Sequence, residues 1–284
     1  MFRKLLKYEW QANARLFWIL SAAALGVALL GGFVLLGANY IADHASSDIA
    51  IALAAPGMYL LAVFCLLAVA GYAAAVNVIN IVRFYKNKFT DEGYLTFTLP
   101  VKVSHIYLST YVNILLWGLL SGTIAICCVL LSLGIGFGDI LMDALSTPDF
   151  RQVLNALAEI IWELLENLQS TPGYVLYKTL AGLTVVLSPL RFISMIMCCM
   201  TVGSVLAKKH KILASIGIYY AVSMISSTIT TVLTSVLTLI LVDEGSFILG
   251  YNAIYGVQLL FTIGVIIGSY FLAIHLMKKC LNLP

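Results

Sequence analysis

Charge is what this 284-residue sequence has least of: Lys, Arg, Asp and Glu together make up 10% of it, against 62% hydrophobic residues. The mean hydropathy is +1.01. An ordinary water-soluble domain carries about 25% charged residues, so that class is excluded and an integral membrane protein is expected. A span of isolated strand cannot satisfy its backbone polar groups in lipid, so the fold class expected is all-α.

Other absences narrow the chemistry. The chain has no G-x-x-x-x-G-K-[ST] loop to cradle nucleotide phosphates, so it binds no cofactor of its own on this reading, and any ATP and Mg must sit on a partner chain. His44, His105, His210 and His275 are scattered, H-E-x-x-H and G-x-S-x-G are missing, and no pair of carboxylates lies within an apolar run. An enzyme is therefore not expected. The lack of carboxylates within the spans also counts against an ion- or proton-coupled carrier. The six cysteines, at 65, 127, 128, 198, 199 and 280, form no C-x-x-C and no paired spacing in an external loop, which reads as reduced, space-filling thiols. No basic run exceeds "KKHK" at 208–211, so no nucleic-acid partner is expected. Repeats of fixed period are absent, as is the internal symmetry of an inverted-repeat transporter.

What is present is apolar sequence in six lengths. A bilayer crossing needs about 20 apolar residues, and residues 16–38, 57–82, 106–134, 174–206, 212–242 and 249–277 each supply that. The first run exceeds the roughly 7–15 residues of a signal-peptide core, so it reads as a retained span within a single transmembrane domain, 1–284. Thirteen of the 16 basic residues lie at one set of span ends: Arg3, Lys4, Lys7, Arg15, Arg83, Lys86, Lys88, Lys102, Lys208, Lys209, Lys211, Lys278 and Lys279. Ten of the 13 acidic residues lie at the other. The positive-inside rule then makes both termini cytoplasmic.

Two amphipathic segments flank these spans. Phe2, Leu5, Leu6 and Trp10 recur at helical spacing among Arg3, Lys4 and Lys7, predicting an interfacial helix over 1–15 that anchors to membrane lipids or meets a cytoplasmic partner. In the external segment 135–173, Thr147 is a candidate N-cap and Pro148 the first helical residue. Phe150, Val153, Leu154, Leu157, Ile161, Leu164, Leu165 and Leu168 keep one apolar face, and Pro172-Gly173 ends the helix. Span 1 is glycine-rich, and Gly118 with Gly122 and Gly264 with Gly268 hold the four-residue spacing that lets helices approach, within one chain or between copies.

Polar groups inside the spans are few. Ser223, Ser227, Thr231, Thr234 and Thr238 form one stripe along span 5, which reads either as the lining of a translocation path or as hydroxyls bonded to their own helix. Arg191 lies within span 4, where a charge is costly and faces protein or a water-filled cavity. Structural pairing and a substrate-facing role both remain open for it. Asn77, Asn80, Asn113 and Gln258 read as interhelical hydrogen-bonders.

The longest polar interruption of the first half is "FYKNKFTDEGYLTFTLPVK", 84–102, between spans 2 and 3. Thr90 is an N-cap candidate, Pro100 a stop, and Tyr94 and Phe97 give the intervening helix an aromatic face that needs covering. The phrase "RFYKNKFTDEGYLTFTLPVKVSHIYLS", 83–109, resembles the first cytoplasmic loop of six-span permease subunits of type-2 ABC exporters from Gram-positive bacteria. The resemblance implies a permease in the cell membrane, paired with a second permease copy or homologue and driven by separate ABC ATPase subunits. It implies that Asp91, Glu92, Gly93, Tyr94, Leu95, Thr96, Phe97, Thr98 and Leu99, within the loop 83–103, form the coupling helix on which an ATPase docks. The cargo implied is a peptide, drug or lipid. External emphasis here falls between spans 3 and 4, whereas better-known relatives place it between spans 5 and 6, so their gate residues are not transferred. A membrane-embedded immunity or sensor protein that binds an extracellular peptide without transport is the alternative.

Overall fold

The computed structural model describes residues 2–44, 48–90, 93, 96, 98, 100–170, 173–207, 210–241 and 247–279. They form seven long helices: α1 Phe2–His44, α2 Asp48–Phe89, α3 Val103–Ser146, α4 Pro148–Ser170, α5 Tyr174–Leu206, α6 Lys211–Leu241 and α7 Phe247–Lys279. All but α4 are long and apolar enough to cross a membrane, in six segments that contain or closely match the six apolar runs of the sequence. The chain is a multi-pass, all-helical membrane protein by length and composition of these segments. α1 runs unbroken from Phe2 through the first span, because no Pro or Gly interrupts residues 2–25. The amphipathic start is thus the first turns of the span helix.

α4 begins at Pro148, where the missing N–H costs nothing, and the Arg151 N–H bonds back to the Thr147 carbonyl at 3.2 Å. Its described side chains are exposed, Val153, Leu157 and Trp162 among them.

The chain divides into two compact units. One comprises residues 3–82 and 116–158. Its core gathers Phe17, Ala24, Tyr72, Val76 and Trp117, with Trp10 stacked on Trp117 at 4.2 Å and Phe17 edge-on to it at 4.9 Å. Small residues bring its helices together. A Cβ at Gly32 would lie 2.9 Å from Ile135 Cβ and 3.1 Å from the Ser132 carbonyl, so only glycine permits that approach of α1 to α3. Polar pairs fix the register: Ser21 Oγ meets Tyr72 OH at 2.6 Å, and Asn39 Nδ2 donates to the Gly136 carbonyl at 2.7 Å. Asn80 pairs with Asn13 at 3.4 Å as an interhelical bond, whereas Asn77 donates to Ala73 of its own helix.

The other unit comprises residues 83–115 and 159–284, with two residues at the N-terminus. Here α5, α6 and α7 pack together. A Cβ at Gly203 would lie 2.6 Å from Ser215 Cα, so α5 and α6 meet backbone to backbone beside their connection. At the far end of α5, Asn252 Nδ2 donates to the Gly173 carbonyl at 3.0 Å, and further along Ser194 bonds Ser269 side chain to side chain. Contacts advancing along both chains make α5 and α7 parallel, with α6 antiparallel to α5. The C-terminal half of α5 is buried from Ile193 to Gly203 at most positions, while Val175, Val185 and Val186 of its N-terminal half are exposed. The five described cysteines are all free, and Cys198 and Cys199 fill that buried half.

Candidate functional site

α5 carries a proline in mid-course, Pro189, which removes the N–H that would bond the Val185 carbonyl. Ser188 Oγ donates to that carbonyl at 2.8 Å and replaces the missing bond. One turn on stands Arg191. Its Nη2 donates to Ser226 Oγ of α6 at 2.5 Å, and its guanidinium carbon lies 5.3 Å from the centre of the Phe261 ring of α7. A single side chain therefore ties three helices. Among the described residues no carboxylate pairs with it.

Arg191 faces a cavity of about 410 Å³ between α5, α6 and α7. Thr184, Ser188, Phe192 and Met195 contribute to its wall from α5, Tyr219, Ser223, Ser226, Ser227, Thr230 and Thr231 from α6, and Gln258 and Thr262 from α7. Thr230 bonds back to the Ser226 carbonyl at 2.8 Å, spending its proton within the helix. Thr262 is 4% exposed, and its side chain, like those of Gln258, Ser227 and Thr231, makes no hydrogen bond to a described residue. Among the described residues the wall thus offers one permanent cation and several hydroxyl and amide donors, with no acidic side chain in it. Such a set solvates an anion.

Arg191, Ser223, Ser227 and Thr231 are brought to one cavity. Thr234 and Thr238 are not. Thr234 donates to the Thr230 and Thr231 carbonyls at 2.9 Å and Thr238 to the Thr234 carbonyl at 2.7 Å. For these two the self-bonded alternative describes the structure. Sequence reasoning passed over Ser226, Thr230 and Thr262, and set Gln258 aside. The overlooked signal was Gln258 and Thr262 themselves, four apart on one face of an apolar helix.

Of the loop residues, Gly93, Thr96 and Thr98 are described; Asp91, Glu92, Tyr94, Leu95, Phe97 and Leu99 lie outside the described residues. Gly93 and Thr96 have helical backbone and Thr98 is in a turn. Thr90 Oγ1 donates back to the Lys86 carbonyl at 2.5 Å, and the Gly93 N–H bonds the Thr90 carbonyl at 2.7 Å. The Thr90 hydroxyl therefore closes the end of α2. Thr96 Oγ1 reaches the Asn87 carbonyl at 3.2 Å, folding the loop back on the helix it leaves. Beneath it Phe84 and Phe89 meet edge to face at 5.4 Å, both buried.

No protein-family model, curated protein or solved structure matches this chain.

Proposed function

We propose that the protein is the membrane-spanning permease subunit of an ATP-binding cassette exporter, working as a pair and driven by separate ATPase subunits that dock on the loop 83–103. The observation that carries this reading is the loop itself. Its phrase, from Arg83 to Ser109, resembles the coupling loop of type-2 exporter permeases, and it joins two helices of 42 and 44 residues. At 1.5 Å per residue each is roughly 65 Å long, about twice the ~30 Å hydrocarbon core. Helices of that reach can carry a docking loop clear of the bilayer and act as levers on the spans when the ATPase dimer closes.

Orientation enters by charge. With Lys86, Lys88 and Lys102 beside the loop, the positive-inside rule puts it in the cytoplasm, where an ATPase is available. The membrane is then the cell membrane of a Gram-positive bacterium. The cavity around Arg191 supports a path for cargo through α5, α6 and α7.

Affinity purification of the tagged full chain from its native host in mild detergent, followed by mass spectrometry, tests the proposal. An ABC ATPase recovered in about equal amount is the expected outcome. Intact protein that reproducibly brings down no ATPase would overturn it and favour an immunity or sensor protein.

A further inference from the structure

Arg191 follows Tyr174 by 17 residues and precedes Leu206 by 15 on one continuous helix. At 1.5 Å per residue it stands about 26 Å from one end and about 22 Å from the other, well inside the span, where an unpaired charge is costly. Structural pairing does not discharge that cost here. Its described contacts are the Ser226 hydroxyl and the Phe261 ring, neither of them anionic. A neutral hydroxyl and an aromatic face orient a guanidinium and leave its positive charge uncompensated. Its bond to Ser226 occupies one of five donors.

The wall around it is built to complete such an anion's shell. Thr262 is 4% exposed, borders the cavity, and has no protein partner among the described residues, and Gln258 one turn before it is equally free. A hydroxyl open to a cavity and without a protein partner is available to bond the cavity's occupant. Ser227 and Thr231 complete the set from α6. Among the described residues no acidic side chain, which would suit a cation or an amine, lines it.

The flanks of the cavity point to what the anion is attached to. About a quarter turn round from the lining positions the same helices expose Val185 and Met224, so an occupant reaching past the polar wall would meet apolar surface there. A free ion would have to shed its water to pass there; an amphiphile would lay its chains along it. An annular lipid keeps its phosphate near the edge of the ~30 Å hydrocarbon core, whereas Arg191 stands near the middle of its helix. We infer that this cavity binds the phosphate group of an anionic amphiphile, with its chains along the exposed flanks of α5 and α6. As a statement about cargo, this deepens the exporter reading and rests on it; as a statement about binding, it does not.

Native mass spectrometry of the detergent-solubilised full chain tests it, with phosphatidylglycerol as the anionic probe and phosphatidylcholine as the zwitterionic one. Phosphatidylglycerol should be retained one to one and in preference to phosphatidylcholine. Arg191→Gln should lower that retention by about tenfold or more, the scale of a lost charge-assisted bond. Arg191→Lys should restore part of it. Thr262→Val, which keeps shape and removes only the hydroxyl, should lower it several-fold with the melting temperature unchanged, so a folding defect at Arg191 does not decide the matter. Equal retention of the two lipids, or retention of phosphatidylglycerol untouched by both Arg191→Gln and Thr262→Val, overturns the site. Displacement by inorganic phosphate at equal concentration overturns the amphiphile and assigns the cavity to a soluble anion. Since no ATPase is present, failure here leaves the exporter reading standing, and failure to co-purify an ATPase leaves the binding site standing.

Discussion

Arg191 donates to Ser226 Oγ at 2.5 Å, joining mid-α5 to mid-α6 at the one charged position that the described residues give the cavity wall. Ser226 is 8% exposed. The same two helices meet backbone to backbone beside their connection, at Gly203 and Ser215, and Phe192 packs edge-on to Tyr219 at 6.3 Å between them; the charge-assisted bond adds a polar tie to that packing.

Ser226→Ala removes that bond and leaves the guanidinium with the Phe261 ring alone. The expected cost is about 1–2 kcal/mol of stability in detergent, read from denaturant or thermal unfolding. Ser226→Thr, which keeps the hydroxyl, should recover most of it. A Ser226→Ala protein as stable as the parent would show that Arg191 is held by something else.

Ser188 and Pro189 form a compensating pair. The proline takes a backbone donor from the Val185 carbonyl and the serine hydroxyl replaces it. Ser188→Ala alone should therefore cost about 1 kcal/mol. In a Pro189→Ala background, where an N–H is restored, the same change should be close to neutral. A double-mutant cycle measures the coupling, and a cost independent of residue 189 would contradict the pairing.

Glycine positions separate by what surrounds them. Gly203→Ala puts a Cβ 2.6 Å from Ser215 Cα, a backbone atom that cannot step aside, and should destabilise by about 1–3 kcal/mol. Gly264→Ala and Gly268→Ala meet nothing within 4 Å and should change the stability of the single chain by less than about 0.5 kcal/mol. Thermal melting of the three variants in one detergent compares them directly, and a Gly203→Ala protein as stable as the other two would count against the close approach of α5 and α6.

These contrasts also show what the sequence could tell. Six helices were legible because each must supply about 20 apolar residues, a requirement of the bilayer that leaves little room for tertiary context. α4 was legible from Pro148 and the three-four rhythm that follows it. At Gly264 and Gly268 a Cβ would meet nothing within 4 Å in the single chain, so of the two neighbours the four-residue spacing allows, it is the one within the chain that the described residues do not supply. The stripe on α6 divides for a similar reason. Period places Ser223, Ser227, Thr231, Thr234 and Thr238 on one face, but the cavity extends only as far as α5 and α7 supply Arg191, Gln258 and Thr262 to close it. Thr234 and Thr238 lie beyond that closure and spend their protons on their own helix. Thr90 had two neighbours competing for its hydroxyl, and the end of α2, with carbonyls left open, took it.

On the function proposed above, the loop after α2 couples this protein to an ATPase. The most direct test replaces Asp91–Leu99 by a Gly/Ser segment of equal length in the full chain, co-expressed with the ATPase recovered from the native host, and measures both co-purification and ATP hydrolysis in reconstituted membranes. The account predicts that the exchanged protein still inserts and folds while the ATPase is lost from the complex and its stimulation disappears. A complex of undiminished yield, with ATP hydrolysis stimulated as before, would contradict it.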